Sequence, residues 1–305
     1  MLRRTCALAS IAFVLSLSAA TNAMATAQRT FVASNGNDAN PCSIVSPCRA
    51  FAAAIAQTIA GGEVIVLDSA GYGPVTISQS VSIIAPAGVY AGITVPSGGT
   101  GVAINGAGTS VVLRGLAINS TGGTYGIRMT NGSELNVENC VISNFRNSAK
   151  AVSVETAAIV KIADTVVRDA TYGIVVGHGA TANITNSQVV GSDGEGIWLF
   201  QSNVTTNIFI TDTLVTGNGI GGSAACIDND GLTGNISASR VSVTGCLFGI
   251  INQSSSGTMT VTNSIVTGNV DGFHNFSGTF NSLGNNNVSG NTNDIQGGIT
   301  TIGGK

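Results

Sequence analysis

The sequence predicts an all-β solenoid of stacked coils, and three observations carry that prediction. First, a five-residue strand returns through residues 125–291. It reads YGIRM from Tyr125, KAVSV from Lys150, YGIVV from Tyr172, EGIWL from Glu195, FGIIN from Phe248 and DGFHN from Asp271. Second, a phrase of the form apolar–x–apolar–x–(Asn/Asp)–small–x–Val alternates with it. Examples are LNVENCVI from Leu135, VKIADTVV from Val160, ANITNSQV from Ala182, IFITDTLV from Ile208, MTVTNSIV from Met259 and NSLGNNNV from Asn281. Third, the polar pivot of that phrase falls at Asn139, Asp164, Asn186, Asp212, Arg240, Asn263 and Asn285, in steps of 25, 22, 26, 28, 23 and 22 residues. Short strands at such a period, with no helical spacing, define a fold in which each coil stacks on the last.

Taken in order, residues 1–25 read as a secretory signal peptide. Arg3-Arg4 is the basic start, 6–20 the apolar run and Ala23-Met24-Ala25 the cleavage site, so cleavage is expected near Ala25. Residues 26–62 read as an N-terminal cap of strand, tight loop and amphipathic helix. Ser46 can cap that helix, Pro47 can open it, Phe51, Ile55 and Ile59 share a face, and Gly61-Gly62 stops it. A β-solenoid exposes its apolar bore and open strand edges at its ends, so this helix is the natural lid for the first coil. The coils follow over 63–298, beginning with VIVL from Val64, VTI from Val75, VSII from Val81, GITV from Gly92, VAI from Val102 and VVL from Val111. Residues 299–305 read as a C-terminal tail. No second capping helix is evident, which makes that end a candidate oligomer contact.

Composition narrows the function. Of 305 residues, 43% are hydrophobic and only 9% charged, while Gly accounts for 41 and Pro for 5, a mix suited to tight turns between short strands. The net charge of −3 becomes −5 without Arg3 and Arg4, which argues against nucleic acid or an anionic membrane surface as partner. No later stretch has the roughly 20 apolar residues a membrane-spanning helix needs. The expectation is a protein that is secreted, periplasmic or at the cell surface.

Strand alternation sends Ile127, Val152, Ile174, Ile197, Ile227, Ile250 and Phe273 into the bore, about 4.8 Å apart from coil to coil. Asn and Asp at the pivots tolerate unusual backbone angles, and stacked Asn side chains can bond one another along the axis. Asp164 and Asp212 are therefore read as structural.

On these residues, together with TFVASNGNDANPCSIVSPCRAFAAAIAQ and GGEVIVLDSAGYGPVTI near the start, the chain resembles the right-handed parallel β-helix proteins of the pectate-lyase-like superfamily over residues 30–298. The resemblance implies a right-handed parallel β-helix with an N-terminal capping α-helix. It leaves activity open, because pectate lyases, polygalacturonases, epimerases, depolymerases, adhesins and non-enzymatic surface proteins share the fold.

In many resembling enzymes a polysaccharide lies along the outer face of one sheet. The outward positions of the YGIRM-type strand give one column of Arg128, Ser153, Val175, Trp198, Asp228, Ile251 and His274. Two residues on, the next holds Thr130, Glu155, Gly177, Phe200, Asp230, Gln253 and Phe276. A ring that stacks on a sugar beside carboxylates that bond its hydroxyls is what a glycan site needs. Trp198, Phe200, Glu155, His274, Phe276 and Arg128 are the substrate-binding candidates. Asp228 and Asp230 are the catalytic ones, as an acid and a base or nucleophile, depending on their separation. No cofactor is required, although Ca²⁺ would belong to a lyase. The bland alternative is a covered patch, with residues 201–207 folded over Trp198 and Phe200.

Departures from the enzyme patterns weigh against catalysis. Arg128 lies several coils from Asp228, there is neither an Asp-Asp nor an Asn-Thr-Asp, and Gly177-His178-Gly179 reads as a turn. Asp228-Asn229-Asp230 matches a calcium-binding spacing only weakly. No flat Thr ladder recurs on consecutive coils, which argues against an ice-binding face. Cys42 and Cys48 flank the entry loop and are expected to form a disulfide in an oxidising compartment. Cys226 and Cys246 fall near the same corner of successive coils, a few positions out of register, so a rung-to-rung disulfide is open to them. Cys140 is read as a small hydrophobe inside the tube. The resulting expectation is a carbohydrate-interacting solenoid, with a polysaccharide lyase or hydrolase and a non-catalytic adhesive rod as the alternatives.

Overall fold

A computed structural model describes residues 26–200, 203–217 and 225–303; the expected signal peptide lies outside them. The chain winds as a parallel β-solenoid whose strands fall into three sheets running along its axis. Sheet I holds ten strands, from Val75–Ile77 to Asn293–Gly297, and includes Tyr125–Met129. Sheet II holds twelve, from Ala27–Val32 to Thr300–Ile302, and sheet III ten, from Ala70–Gly71 to Asn287–Val288. Thr300–Ile302, expected as tail, is therefore the last strand of sheet II. One coil visits the sheets in the order II, III, I, as in Glu134–Glu138, Val141–Ser143 and Lys150–Val154.

The bore stack forms in the expected register. Ile127 pairs with Val152, then Ile174, Ile197, Ile227, Ile250 and Phe273 follow rung by rung. All seven are fully buried. Cys140 is buried too, and loss of hydration pushes its thiol up to about 11, so it packs as an apolar group.

The corner from sheet II to sheet III is a single left-handed residue. Asn139, Asp164, Asn186, Asp212, Arg240 and Asn263 have φ between 46° and 52°. Asn and Asp reach that region at low cost. Arg240 has no such aptitude and is held by Asp212, which accepts from its Nε at 2.6 Å and its second nitrogen at 2.8 Å. Asn285 does not adopt a positive φ. It instead exchanges bonds with Asn263, whose Oδ1 accepts from Asn285 Nδ2 at 2.9 Å. The pivots thus couple in pairs rather than in one ladder, Asn186 bonding Asp164 in the same way. A continuous Asn ladder does exist at another corner, after sheet I. There Asn229 Nδ2 donates to Asn252 at 2.9 Å and Asn252 Nδ2 to Asn275 at 3.2 Å, with Asn229 and Asn252 fully buried.

The capping helix is shorter than expected, Phe51–Gln57, with Phe51, Ala54 and Ile55 buried and the Phe51 ring 5.2 Å from that of Tyr72. Ser46 is not its cap, because its backbone closes a turn onto Ser43 and Cys48 pairs with the first strand. The free N–H groups of Arg49 and Ala50 go to Asp38 Oδ1, both at 2.8 Å. Ile59 falls in strand Thr58–Val66 rather than on the helix. No helix of the described residues is long and apolar enough to cross a membrane.

Two disulfides are present, Cys42–Cys48 and Cys226–Cys246, consistent with an extracellular location. The second closes a 20-residue loop across adjacent coils. The Cys226→Ala/Cys246→Ala protein is expected to lose about 3 kcal/mol, the entropy term for a loop of that length. Urea midpoints under oxidising conditions check this, and an unchanged midpoint would show the loop is already held by its strand pairing.

Candidate functional site

Sheet I brings the predicted residues onto one face in the predicted order. Arg128, Ser153, Val175, Trp198, Asp228, Ile251 and His274 are successive register partners. The second column continues the ladder through backbone bonds such as Glu155 N–H to Met129, Phe200 N–H to Val176 and Asp230 N–H to Leu199. Not all of the strip faces solvent, however. Ser153, Val175, Asp228 and Ile251 are at most 2% exposed, sealed beneath longer neighbours. A third column, three residues before the first, carries Tyr125, Lys150, Tyr172, Phe248 and Asp271.

Four groupings follow one another along the face. At its N-terminal end Arg128 grips Glu155 through Nε (3.1 Å) and a terminal nitrogen (2.8 Å), while Ser153 Oγ donates to the same carboxylate at 2.9 Å. Burial alone would raise the Glu155 pKa; the Arg128 and Ser153 bonds outweigh it and hold it low. The guanidinium lies 4.5 Å over the Tyr125 ring and Lys150 5.2 Å over Phe200. These side chains border a cleft of about 260 Å³. Gly177-His178-Gly179 is a turn at its rim, with φ of 57° at His178 and 83° at Gly179.

Next comes an aromatic cluster. Trp198 lies 5.2 Å from Tyr172 and 4.6 Å from Phe200, the latter edge to face. The indole N–H is buried and meets no hydrogen-bond partner among the described residues. Residues 201 and 202 of the expected covering loop lie outside the described residues, and Asn203 and Val204 are exposed.

Beyond it sit three carboxyls. Asp228 accepts from Gln253 Nε2 at 3.1 and 3.0 Å, yet burial pushes its pKa up to about 8, with the charges of Asp230 and Glu195 adding. Glu195 is raised by burial and by Asp230. Asp230 and Gln253 line an adjoining cleft of about 280 Å³ with Asn203, Gly231 and Leu232. The last grouping is His274, whose Nδ1 bonds Asp271 at 2.7 Å and whose ring stacks 4.0 Å from Phe276.

Arg128 stands four rungs from Asp228, roughly 19 Å at the usual strand spacing, and is committed to Glu155. An arginine base beside the acidic group is therefore not assembled. Calcium needs six to eight oxygens, and among the described residues no three acidic, His or Cys side chains are placed to hold a metal ion together. The fold is compatible with calcium, but among the described residues these side chains do not build a cage for it.

Glu195, Tyr172, Lys150 and Asp271 were not singled out from the sequence. They stand three residues before the first column, an odd step at which strict strand alternation points a side chain toward the bore, so the period of two did not reach them.

A three-sheet parallel solenoid with a long side-chain-lined face defines the β-helix class. The right handed beta helix region family matches residues 62–214, and the chain belongs to that family. Among solved structures it is similar to the crystal structure of pectate lyase Pel9A, with a TM-score of 0.66 and 15% identity, covering 92% of this chain and 79% of that one. That likeness is one of fold. No curated protein sequence matches the chain.

Proposed function

We propose that this is an exported protein that binds polysaccharide along the outer face of sheet I. The carrying observation is the Tyr172–Trp198–Phe200 cluster, set between a cationic cleft and an acidic one. Aromatic faces take the apolar faces of sugar rings, and the flanking Glu155, Arg128, Asp230 and Gln253 take hydroxyls. Rungs about 4.8 Å apart let a polymer laid along the axis meet these groupings in succession. His274 and Phe276 extend the same face two rungs further.

The test is a panel of polysaccharides on the mature protein, with and without Ca²⁺, recording retention and the release of new sugar ends. Trp198→Ala is expected to weaken retention about five- to thirtyfold, the loss of one aromatic anchor of roughly 1–2 kcal/mol. Unchanged retention sinks the reading and leaves the adhesive rod.

A second reading, catalysis, draws on one observation. Asp228 is held as the neutral acid to about pH 8, while Asp230 borders the open cleft, and two carboxyls in divergent environments are how one site supplies both a proton donor and a base. New sugar ends that vanish in Asp228→Asn and in Asp230→Asn would establish it. Retention without products would leave a recognition protein.

A further inference from the structure

The outer face of sheet II changes character halfway along the molecule. Its early rungs are laced with ion pairs, Arg29–Glu63, Arg114–Glu138 and Lys161–Glu134. From Thr181–Thr185 onward, through Asn207–Thr211, Asn235–Ser239, Thr258–Thr262 and Thr279–Leu283, no outward position of the strands carries a charge. In a protein whose surface charges otherwise pair from rung to rung, a sheet face emptied of them over five coils is a distinct surface.

These five strands pair in parallel without a register shift. Their outward side chains therefore form a two-dimensional lattice. One column runs Thr181, Asn207, Asn235, Thr258 and Thr279; another runs Thr185, Thr211, Ser239 and Thr262. Between them stand Asn183, Phe209, Ser237, Thr260 and Asn281. The lattice repeats about 4.8 Å along the axis and about 6.7 Å across it. Within it Asn235 donates to Asn207 at 3.1 Å, but among the described residues the hydroxyls of Thr185, Thr211, Ser237 and Thr260 have no hydrogen-bond partner in the protein. At its centre Phe209 is 46% exposed. Charges border it at Lys161, one rung before, and along the corner at Asp164 and the Asp212–Arg240 pair.

We propose that this lattice docks on the ordered surface of an uncharged polysaccharide. A charged or irregular partner would find nothing to pair with. A neutral array of sugar chains offers what the lattice lacks, regularly spaced hydroxyls for its side-chain donors and acceptors and C–H faces for Phe209. Ice would also offer regular hydroxyls, but the Phe209 ring stands proud of its Thr, Ser and Asn neighbours and breaks the plane that ice requires. The site lies on a different sheet from the Trp198 cluster and does not depend on it.

The experiment is depletion of the mature protein from solution by microcrystalline cellulose and by β-chitin, at low salt and in 1 M NaCl. Retention on at least one is expected, little changed by salt, and at least about fivefold weaker in Phe209→Ala and in Ser237→Lys. Outward strand positions tolerate such changes, and a third variant, Thr260→Lys, guards against a folding defect in one of them. The proposal is overturned by absence of retention, by lattice variants that bind like the parent, by loss in Trp198→Ala alone, or by inhibition of ice recrystallisation without polysaccharide retention. If Trp198→Ala leaves every polysaccharide interaction intact while the lattice variants lose theirs, the sheet I reading fails and this one stands.

Discussion

Replacing Asp228 with Asn is expected to remove a steep loss of stability between about pH 4 and pH 8. The Asp228 carboxyl is 2% exposed, and burial raises its pKa from 3.8 to about 8, with Gln253 opposing and Asp230 and Glu195 adding. In the unfolded chain it ionises near 3.8; in the folded chain it keeps its proton to about 8. Across that window the unfolded state binds fewer protons, so stability falls as pH rises. Each pH unit of that gap is worth about 1.4 kcal/mol, which puts the full effect on the order of 5 kcal/mol above pH 8. Glu195, also raised by burial, acts in the same direction. Glu155 acts oppositely: held low by Arg128 and Ser153, it contributes above its ordinary range and loses that contribution as pH falls. The parent should be most stable on the acid side of neutrality. Urea midpoints from pH 4.5 to 8.5 would show a falling curve for the parent and a flatter one for Asp228→Asn. Parallel curves would mean that water reaches Asp228 and that the case for a stored proton is gone.

Phe273→Ala is expected to cost about 3–5 kcal/mol, and Phe276→Ala, three residues on, less than about 0.5 kcal/mol. Phe273 is fully buried in the bore, stacked beneath Ile250 with its ring 5.0 Å from Phe280. Truncation leaves a void among rigid neighbours that cannot collapse without breaking strand register. Phe276 is 61% exposed, and its ring neighbours among the described residues are His274 and Phe248. Its removal should instead show in glycan retention. Chemical denaturation of the two variants separates the roles, and equal costs would mean that the alternation is wrong at this coil.

The contrast between those two phenylalanines shows why so much of the fold was legible. A strand has a period of two and the coil a period of about 22 to 28 residues, so one alignment assigns the central residues of each strand to the bore or the outer face. Ile127 through Phe273 and Arg128 through His274 fall out of that single count. The disulfides followed because neighbouring coils bring Cys226 within reach of Cys246. The capping helix was misplaced because Ser46 looks like a local cap, whereas the helix has no side-chain cap and the residues leading into it, Arg49 and Ala50, are held by Asp38 from a loop about eleven residues earlier. A tether across a loop leaves no local mark.

The repeat by itself determined the architecture, the bore, the order of residues along sheet I and the corners where Asn or Asp takes a left-handed turn. Each rests on a short period written in neighbouring residues. Only the tertiary structure decided which outward side chains are truly outside. It buried Asp228 beneath its neighbours and gave it a raised pKa, locked Arg128 to Glu155, placed Trp198 between Tyr172 and Phe200, and cleared charge from half of sheet II. Burial and pKa depend on what lies across a rung or over a side chain, distances of a few ångströms between residues 20 or more positions apart. Physical proximity of that kind appears only once the coils are stacked.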